Sequence, residues 1–273
     1  MPVHSRGAFA PCRVADGGRP CWDGAVHALL PPPGPPAAEL DDSALAEFYA
    51  YPDDLAAPYV RVNFVTSADG AASVDSRSAG LGSTADRRVF LLLRELADVV
   101  LAGAGTVRTE DYRGARKATR GRDTPPPIAV VTGSADLDPT SRLFTDTTTP
   151  PIVLTLDSAS QERRDRLAAA GADVVALERL TPDLLLAELA RRGLHRVLCE
   201  GGPVLFGDLV AADAVDELCL TVAPLLAAGT APRISDGRPG TPPRPLELAG
   251  VLHDDGNLLL RYRRAEAGPT PIE

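Results

Sequence analysis

The chain has 273 residues, of which 44% are hydrophobic and 24% charged, a composition ordinary for a globular protein with one large α/β domain or two smaller ones. A formal net charge of −9 without any basic block argues against nucleic acid or an anionic membrane as a partner. The longest apolar stretch, residues 218–228, is too short to span a bilayer, and the first residues lack the layout of a signal peptide. We therefore expect a cytoplasmic protein without structural disulfides.

The amino-terminal region differs in composition from the rest of the chain, being rich in proline and glycine. The predicted organisation is an extended arm, a single domain and a short tail, at 1–40, 41–265 and 266–273. Cys12 and Cys21 in the arm are spaced like the cysteine half of a zinc nucleoside-deaminase motif. The His-x-Glu half is missing, because His4 is followed by serine and arginine. Without a third ligand, we expect no metal site.

The rest of the chain alternates between strand and helix patterns. Short apolar or β-branched runs predict strands at 59–66, 99–102, 128–132, 152–156, 173–177, 196–200, 217–222, 246–252 and 257–263. Apolar residues at helical spacing predict helices at 42–51, 83–96, 160–170, 182–192 and 204–212. The final strands have no helices between them, and 253–256 is typical of a hairpin turn. We therefore expect an α/β fold with a mixed, mostly parallel sheet and antiparallel C-terminal strands.

Two of the predicted buried strands end in glycine. Gly103-Ala-Gly105-Thr106 follows one of them, and Gly201-Gly202-Pro203 follows the other and begins a helix. Glycine allows a ligand to approach bare backbone N–H groups, and the N-terminus of a helix favours an anion such as phosphate. Each motif alone is typical of a plain tight turn. Together they predict that the two ends lie side by side and bind one dinucleotide.

The next strand indicates which dinucleotide is bound. The polar, basic stretch 107–117 before it is predicted to be a loop, and the strand ends in Thr132-Gly133-Ser134. A site for NAD places an acidic residue at such an end, on the ribose 2′-hydroxyl. Hydroxyl groups and a glycine suit a 2′-phosphate and hence NADP, although Asp136 is close.

Two charged residues allow more than one interpretation. Asp69 precedes Gly70 at the end of the strand 59–66, so it either caps a turn or belongs to a site at the strand end. Arg94 lies off the apolar stripe of its helix. Its spacing predicts a solvated side chain, but a cation near the site would also suit a phosphate.

Several segments occur in a fixed order between residues 48 and 260. They are Asn63-Phe-Val-Thr-Ser67-Ala-Asp69-Gly70, Arg87-Arg88, Leu93-Arg94, Asp98, Gly103-Ala-Gly105-Thr106-Val107, Glu200-Gly201-Gly202-Pro203, Val215-Asp216-Glu217-Leu218 and Ala223-Pro224. Together they resemble the riboflavin-biosynthesis pyrimidine reductase family. The resemblance implies a dihydrofolate-reductase-like fold. It also implies a stand-alone reductase, because the deaminase half fused to some members is absent.

The resemblance further implies a reaction and a set of site residues. NADPH would give a hydride to ribose C1′ of a 5-amino-6-(5-phosphoribosylamino)uracil-type substrate. Asp69 and Glu200 are the implied catalytic carboxyls, either of which could protonate the sugar or stabilise its cation. The implied cofactor contacts are Val65, Gly103, Gly105, Thr106, Glu110, Ser134, Gly201, Gly202, Pro203, Val204 and Leu205. The implied substrate contacts are Ser67, Ser78, Arg94, Arg116 and Glu200, with Arg94 on the phosphate and Arg113 or Lys117 as alternatives to Arg116.

Other functions remain open at this stage. A reductase of a pterin or dihydrofolate-like ring is one alternative, since a fold does not fix a substrate. A catalytically silent NADP-binding protein is another. Arg94 and the basic stretch 113–117 favour a phosphorylated substrate. The resemblance also implies a homodimer, for which the apolar strand at 215–224 is the expected interface.

Overall fold

The computed structural model describes residues 40–74, 77–116, 123–237 and 240–265, without the side chain of Ala79. Cys12, Cys21, Lys117 and the predicted tail lie outside the described residues. All elements below belong to one unit of the chain, residues 41–273.

One mixed sheet of nine strands forms the centre of the described part of the chain. The strands are β1 (Tyr59–Ser67), β2 (Val99–Gly103), β3 (Ile128–Thr132), β4 (Ile152–Leu156), β5 (Asp173–Leu177), β6 (Arg196–Cys199), β7 (Glu217–Ala223), β8 (Leu246–Asp254) and β9 (Asn257–Arg264). The helices are α1 (Asp42–Phe48), α2 (Thr84–Leu96), α3 (Ala104–Thr109), α4 (Arg142–Thr145), α5 (Gln161–Ala169), α6 (Pro182–Arg191) and α7 (Pro203–Ala211), and a 3-10 turn covers Ser78–Gly80.

The order of strands across the sheet is β5-β4-β3-β2-β6-β1-β7-β9-β8. Neighbours from β5 to β7 are parallel, and β9 is antiparallel to both β7 and β8. The predicted mixed sheet with antiparallel C-terminal strands is therefore confirmed. Because β6 lies between β1 and β2, strand ends that are far apart in sequence meet at this point, where open α/β sheets form a crevice.

Local sequence explains the helix that borders this crevice. The Ser83 hydroxyl accepts a hydrogen bond from the Asp86 N–H at 3.1 Å, which starts α2 as predicted. Val89, Leu92 and Leu93 are buried and attach the helix to the rest of the domain. The opposite side of α2 is left to face the crevice.

The structure differs from the prediction directly after β2. Residues 104–109 form helix α3 and not a loop, with Gly103 at its N-cap position. Gly105 and Thr106 have low helix propensity, but Ala104 and Val107 are buried and the helix packs on β2 and β3. Tertiary packing therefore overrides local propensity at this short helix.

The predicted interface strand is an interior strand of the monomer. β7 pairs with β1 on one side and with β9 on the other, and most of its residues are buried. Its apolar character is explained by this burial, so it provides no surface for a second copy. None of the helices within the described ranges is long and apolar enough to cross a membrane.

Candidate functional site

The glycine ends of β2 and β6 lie side by side, as the sequence predicts. The Gly103 N–H donates to the Gly201 carbonyl at 2.7 Å. A methyl group built on Gly202 would lie 2.6 Å from Thr106 Oγ1. One built on Gly201, whose φ is +91°, would lie 2.6 Å from Phe64 Cζ. Only glycine fits these two positions, so the close approach of the strand ends depends on residue type.

A cleft of about 1760 Å³ opens over these ends. This volume exceeds the roughly 300–1,000 Å³ of a pocket for one small ligand, so a dinucleotide and a nucleotide-sized substrate can share it. Most of the expected cofactor contacts line the cleft: Val65, Gly103, Gly105, Thr106, Glu110, Ser134, Gly202, Pro203, Val204 and Leu205. Four expected substrate contacts do so as well: Ser78, Arg94, Arg116 and Glu200.

Three expected site residues are not among those that line the cleft: Gly201, Ser67 and Asp69. Gly201 is buried, and its carbonyl accepts a hydrogen bond from the Gly103 N–H. The Ser67 hydroxyl donates to Asp69 and accepts from the Ala71 N–H. These internal hydrogen bonds argue against ligand contacts for Gly201 and Ser67.

The Asp69 carboxylate is exposed but fully engaged. It accepts hydrogen bonds from the N–H groups of Ala227 at 3.0 Å and Ala228 at 2.7 Å, and from the Ser67 hydroxyl. The Ser67 hydroxyl and these backbone donors lower the pKa of Asp69 to about 2. Asp69 thus fastens the β7–β8 connection to the end of β1, a position that argues against the catalytic role implied by the resemblance.

Glu200 is the centre of a buried cluster in the cleft. Arg94 Nε and Nη2 donate to the two carboxylate oxygens, each at 2.7 Å, and the Tyr112 hydroxyl donates to Oε2 at 2.6 Å. The Glu200 side chain is 3% exposed. The Arg94 guanidinium also lies 4.5 Å from the centre of the Phe90 ring and 5.2 Å from that of Tyr112. Arg94 is therefore locked in place and is not the solvated residue that its spacing predicts.

The electrostatics of this cluster keep Tyr112 and Arg94 in fixed protonation states. Burial, followed by the negative charge of Glu200, raises the pKa of Tyr112 well above its ordinary value, so the phenol stays a neutral donor. Burial opposes the charged form of Arg94, but attraction to Glu200 outweighs it and raises the pKa of Arg94. Local sequence offers no signal for Tyr112, which falls in the stretch predicted to be a loop.

The 3-10 turn is connected to α3 at the border of the cleft. The Ser78 N–H donates to Glu110 Oε1 at 2.8 Å, which joins an expected substrate contact to an expected cofactor contact. Glu110 occupies the C-cap position of α3. The 3-10 turn before α2 is thereby joined to the border of the cleft.

Two arginines lie near the end of β3. Arg108 Nη1 donates to the Asp136 carbonyl at 3.0 Å, and Arg163 Nη1 donates to the Ser134 carbonyl at 3.3 Å. Arg163 Nη2 also lies 3.7 Å from Asp136 Oδ1. Two cations thus surround the hydroxyl-bearing strand end that the sequence associates with NADP, although neither was predicted to be there.

Comparison with known proteins assigns this fold and cleft to a reductase family. Residues 58–260 match the family model for the RibD C-terminal domain, and the chain belongs to that family. It is 30% identical over 190 residues to the 2,5-diamino-6-ribosylamino-4(3H)-pyrimidinone 5′-phosphate reductase of Archaeoglobus fulgidus, covering 66% of this chain and 87% of that protein. It is also 30% identical over 184 residues to riboflavin biosynthesis protein RibD of Bacillus amyloliquefaciens, where it spans 66% of this chain but 49% of the relative.

Solved structures agree with this assignment. A pyrimidine reductase-like protein from Corynebacterium diphtheriae superposes with a TM-score of 0.68 at 25% identity, covering 77% of this chain and 92% of that one. Acinetobacter baumannii RibD shares the fold, with a TM-score of 0.63 at 22% identity, and the match covers 77% of this chain and 58% of that one.

Proposed function

We propose that the protein is an NADPH-dependent reductase acting on a 5′-phosphorylated ribosylaminopyrimidine, in which C1′ of the ribose receives a hydride and the sugar opens to a ribityl chain. The observation that carries the proposal is the position of Glu200. It directly precedes the glycine end of β6 and is held there by Arg94 and Tyr112. The names of the Archaeoglobus and Bacillus relatives support the substrate class and the pathway of riboflavin biosynthesis.

The strand ends provide a cradle that fits a dinucleotide. A methyl group at Gly105 would meet nothing within 4 Å, so the backbone of α3 is open on that side. The first-turn N–H groups of α7 have no partners within their own helix and favour phosphate. When bound, NADPH supplies the hydride. The glycine ends of β2 and β6 would hold the dinucleotide, beside Glu200.

The end of β3 supports a preference for NADP over NAD. Ser134 offers a hydroxyl and Arg108 a cation, and both line the cleft. The Asp136 carboxylate lies 3.7 Å from Arg163, which offsets its charge. A 2′-phosphate is therefore favoured at this end of the sheet.

We assign Glu200 the role of an electrostatic stabiliser of the sugar. A fixed carboxylate favours the positive charge that develops at C1′ as the ring opens, because it needs no reorganisation during the reaction. Arg94 and Tyr112 act through Glu200 by holding it in position. Arg94 has only Nη1 left for a phosphate, since Nε and Nη2 are used by Glu200.

Arginines with fewer partners within the protein are better suited than Arg94 to bind the substrate phosphate. Arg116 lines the cleft and is half exposed, although its Nε lies 3.0 Å from Asp146. Arg87 also lines the cleft, is exposed and has no side-chain partner among the described residues. We propose that these two arginines receive the phosphate.

Two measurements test the proposed function. Calorimetric titration should show tighter binding of NADPH than of NADH, whereas failure of either to bind would contradict a reductase. The absorbance of NADPH should fall on addition of a phosphorylated ribosylaminopyrimidine and stay constant with dihydrofolate. The opposite result would identify a pterin reductase, and no oxidation with any substrate would indicate a silent NADP-binding protein.

We also propose that the enzyme is a cytoplasmic homodimer. Cys199 and Cys219 are free thiols in the core, as is common in a reducing compartment. The outer strand β8 exposes Leu246 and Leu248, which a second copy could cover. Light scattering should give twice the monomer mass, and a monomer would refute the dimer.

A further inference from the structure

The turn after β3 carries side chains suited to each of the two nicotinamide dinucleotides. Ser134 and Asp136 both line the cleft, two residues apart. Ala135 between them is buried and has a φ of +53°, so the chain turns sharply at this point. A hydroxyl suits the 2′-phosphate of NADP, whereas a carboxylate accepts from the ribose 2′-hydroxyl of NAD and repels a phosphate. The preference at this turn therefore depends on the charge that Asp136 presents to the cleft.

An arginine from outside the cleft contacts both ends of this turn. Arg163 lies in the first turn of α5 and is not among the residues that line the cleft. Its Nη1 donates to the Ser134 carbonyl at 3.3 Å, and its Nη2 lies 3.7 Å from Asp136 Oδ1. The Ser160 hydroxyl accepts from the Arg163 N–H at 3.4 Å, which caps the helix at this residue. The guanidinium thus joins the start of α5 to the end of β3.

Arg163 provides the counter-charge of Asp136. Within the described ranges of the chain, no other cationic side chain forms an ion pair with this carboxylate. Arg108 approaches the same residue, but it donates to the backbone carbonyl at 3.0 Å and does not pair with the carboxylate. The Asp136 side chain is 69% exposed, so its oxygens stay accessible to a ligand in the cleft. The balance at this carboxylate therefore depends on one arginine that the ligand need not touch.

We infer that Arg163 is a positioning residue that sets the preference for NADPH over NADH by acting through the Asp136 carboxylate. The inference rests on the proposed function and adds the residue that decides its cofactor. With Arg163 in place, the charge of Asp136 is offset and a 2′-phosphate can approach Ser134 and Arg108. Without Arg163, the same carboxylate repels the phosphate and accepts hydrogen bonds from the ribose hydroxyls of NADH.

The action through Asp136 gives a different result from a direct contact between Arg163 and the phosphate. A direct contact is lost in Arg163→Ala, so NADPH binds more weakly while the affinity for NADH stays the same. Action through Asp136 changes both affinities in opposite directions, because the uncovered carboxylate disfavours a phosphate and favours hydroxyl groups. It also makes the effect of Arg163 depend on whether Asp136 is present.

The test is calorimetric titration of the full chain with NADPH and with NADH, without substrate and at low ionic strength, where exposed charges are least screened. Arg163→Ala should lower the ratio of the Kd for NADH to that for NADPH by about tenfold, with tighter binding of NADH. In the double variant with Asp136→Asn, the fall should be much smaller. Arg164→Ala is the matched control and should keep the wild-type ratio, because Arg164 binds the Asp157 carbonyl and Gln161 on the same helix.

The outcomes separate the inference from the proposed function. A wild-type ratio in Arg163→Ala, an unchanged affinity for NADH in that variant, or an equal fall with and without Asp136 would overturn the inference and leave the reductase assignment intact. Failure of the wild-type protein to bind either dinucleotide would overturn both. If Arg163→Ala does not fold, Asp136→Asn alone decides, since this exposed side chain is replaced without loss of packing. It should bind NADPH more tightly than the wild-type protein, and an unchanged or weaker affinity would refute the inference.

Discussion

Glu200, Arg94 and Tyr112 form a unit whose members come from three parts of the chain. The Arg94 guanidinium makes a two-pronged contact with the carboxylate, and the phenol approaches from the other side. Charge-assisted hydrogen bonds of this kind fix a geometry as well as contributing energy. At the scale of single residues, the role that we propose for Glu200 depends on how rigidly this carboxylate is held.

Removing the phenolic hydroxyl of Tyr112 tests this dependence. Tyr112→Phe deletes the 2.6 Å hydrogen bond to Glu200 and keeps an aromatic ring over Arg94. A hydrogen bond to a charged group contributes about 1.5–3 kcal/mol, so kcat/KM should fall roughly 10- to 100-fold. Steady-state kinetics measure the fall, and calorimetry should show unchanged affinity for NADPH. An unaltered kcat/KM would mean that Tyr112 does not position Glu200.

Asp69 should influence stability and not turnover. Its pKa lies near 2 in the folded protein, below the ordinary value of 3.8. The carboxylate therefore stabilises the fold above pH 4, and this contribution disappears as the pH falls from about 4 towards 2. Chemical denaturation at several pH values should show a shallower acid dependence for Asp69→Asn. A large loss of kcat in this variant would instead support a catalytic role for Asp69.

At the scale of elements, the site depends on two short junctions where strands end in glycine. β2 passes into α3, and β6 passes into α7, with the two junctions joined by the Gly103–Gly201 hydrogen bond. Gly202 is enclosed by Thr106, whereas Gly105 faces open space. The two glycines thus serve different purposes, since one allows the junctions to pack and the other leaves room for a ligand.

Alanine at these two glycines should separate folding from binding. Gly105→Ala should raise the free energy of unfolding by up to about 1 kcal/mol, because alanine favours a helix, yet weaken NADPH binding by a methyl group placed in the cleft. Gly202→Ala should weaken binding and lower stability, because its methyl group would lie 2.6 Å from Thr106 Oγ1. Thermal melts and calorimetry measure both effects. Normal NADPH affinity of Gly105→Ala would show that the cofactor does not approach this backbone.

Element types and the glycine junctions were predictable because they leave local patterns. An apolar run followed by glycine indicates β2, and a shorter apolar run followed by Glu200 and Gly201 indicates β6. The side chain of Ser83 indicates the start of α2. The Arg94–Glu200 contact joins residues 106 positions apart, and no periodicity encodes such a pair. α3 and Tyr112 were missed for a related reason, since tertiary burial decides that segment. Ser67 and Asp69 form hydrogen bonds with the loops beside their strand, and the site roles expected for them stay predictions.

At the scale of the whole molecule, the antiparallel end of the sheet is joined to β1 by a buried charge network. Glu217 is fully buried and accepts from Arg61 Nε at 2.6 Å and Arg261 Nη2 at 2.9 Å. The Tyr59 hydroxyl adds a further hydrogen bond at 3.1 Å. The attraction of the arginines outweighs the cost of burial and lowers the pKa of Glu217. The network couples β1, β7 and β9 away from the cleft.

Breaking this network should cost stability without changing specificity. Glu217→Gln leaves two buried arginines without a counter-charge, and loss of one partner of a buried pair costs about 3–5 kcal/mol. Denaturant titration should show a decrease of this order, while the preference of the folded fraction for NADPH over NADH stays the same. A variant as stable as the wild-type protein would show that the network contributes nothing to the fold.

The central claim is that Glu200 takes part in the reaction. Its most direct test is the turnover of Glu200→Gln with the ribosylaminopyrimidine phosphate, measured as the fall in NADPH absorbance. The amide keeps the size of the side chain but removes the charge that we propose stabilises C1′. We expect kcat to fall by about two orders of magnitude, with NADPH binding unchanged. Wild-type turnover in this variant would contradict a role for Glu200 in the reaction.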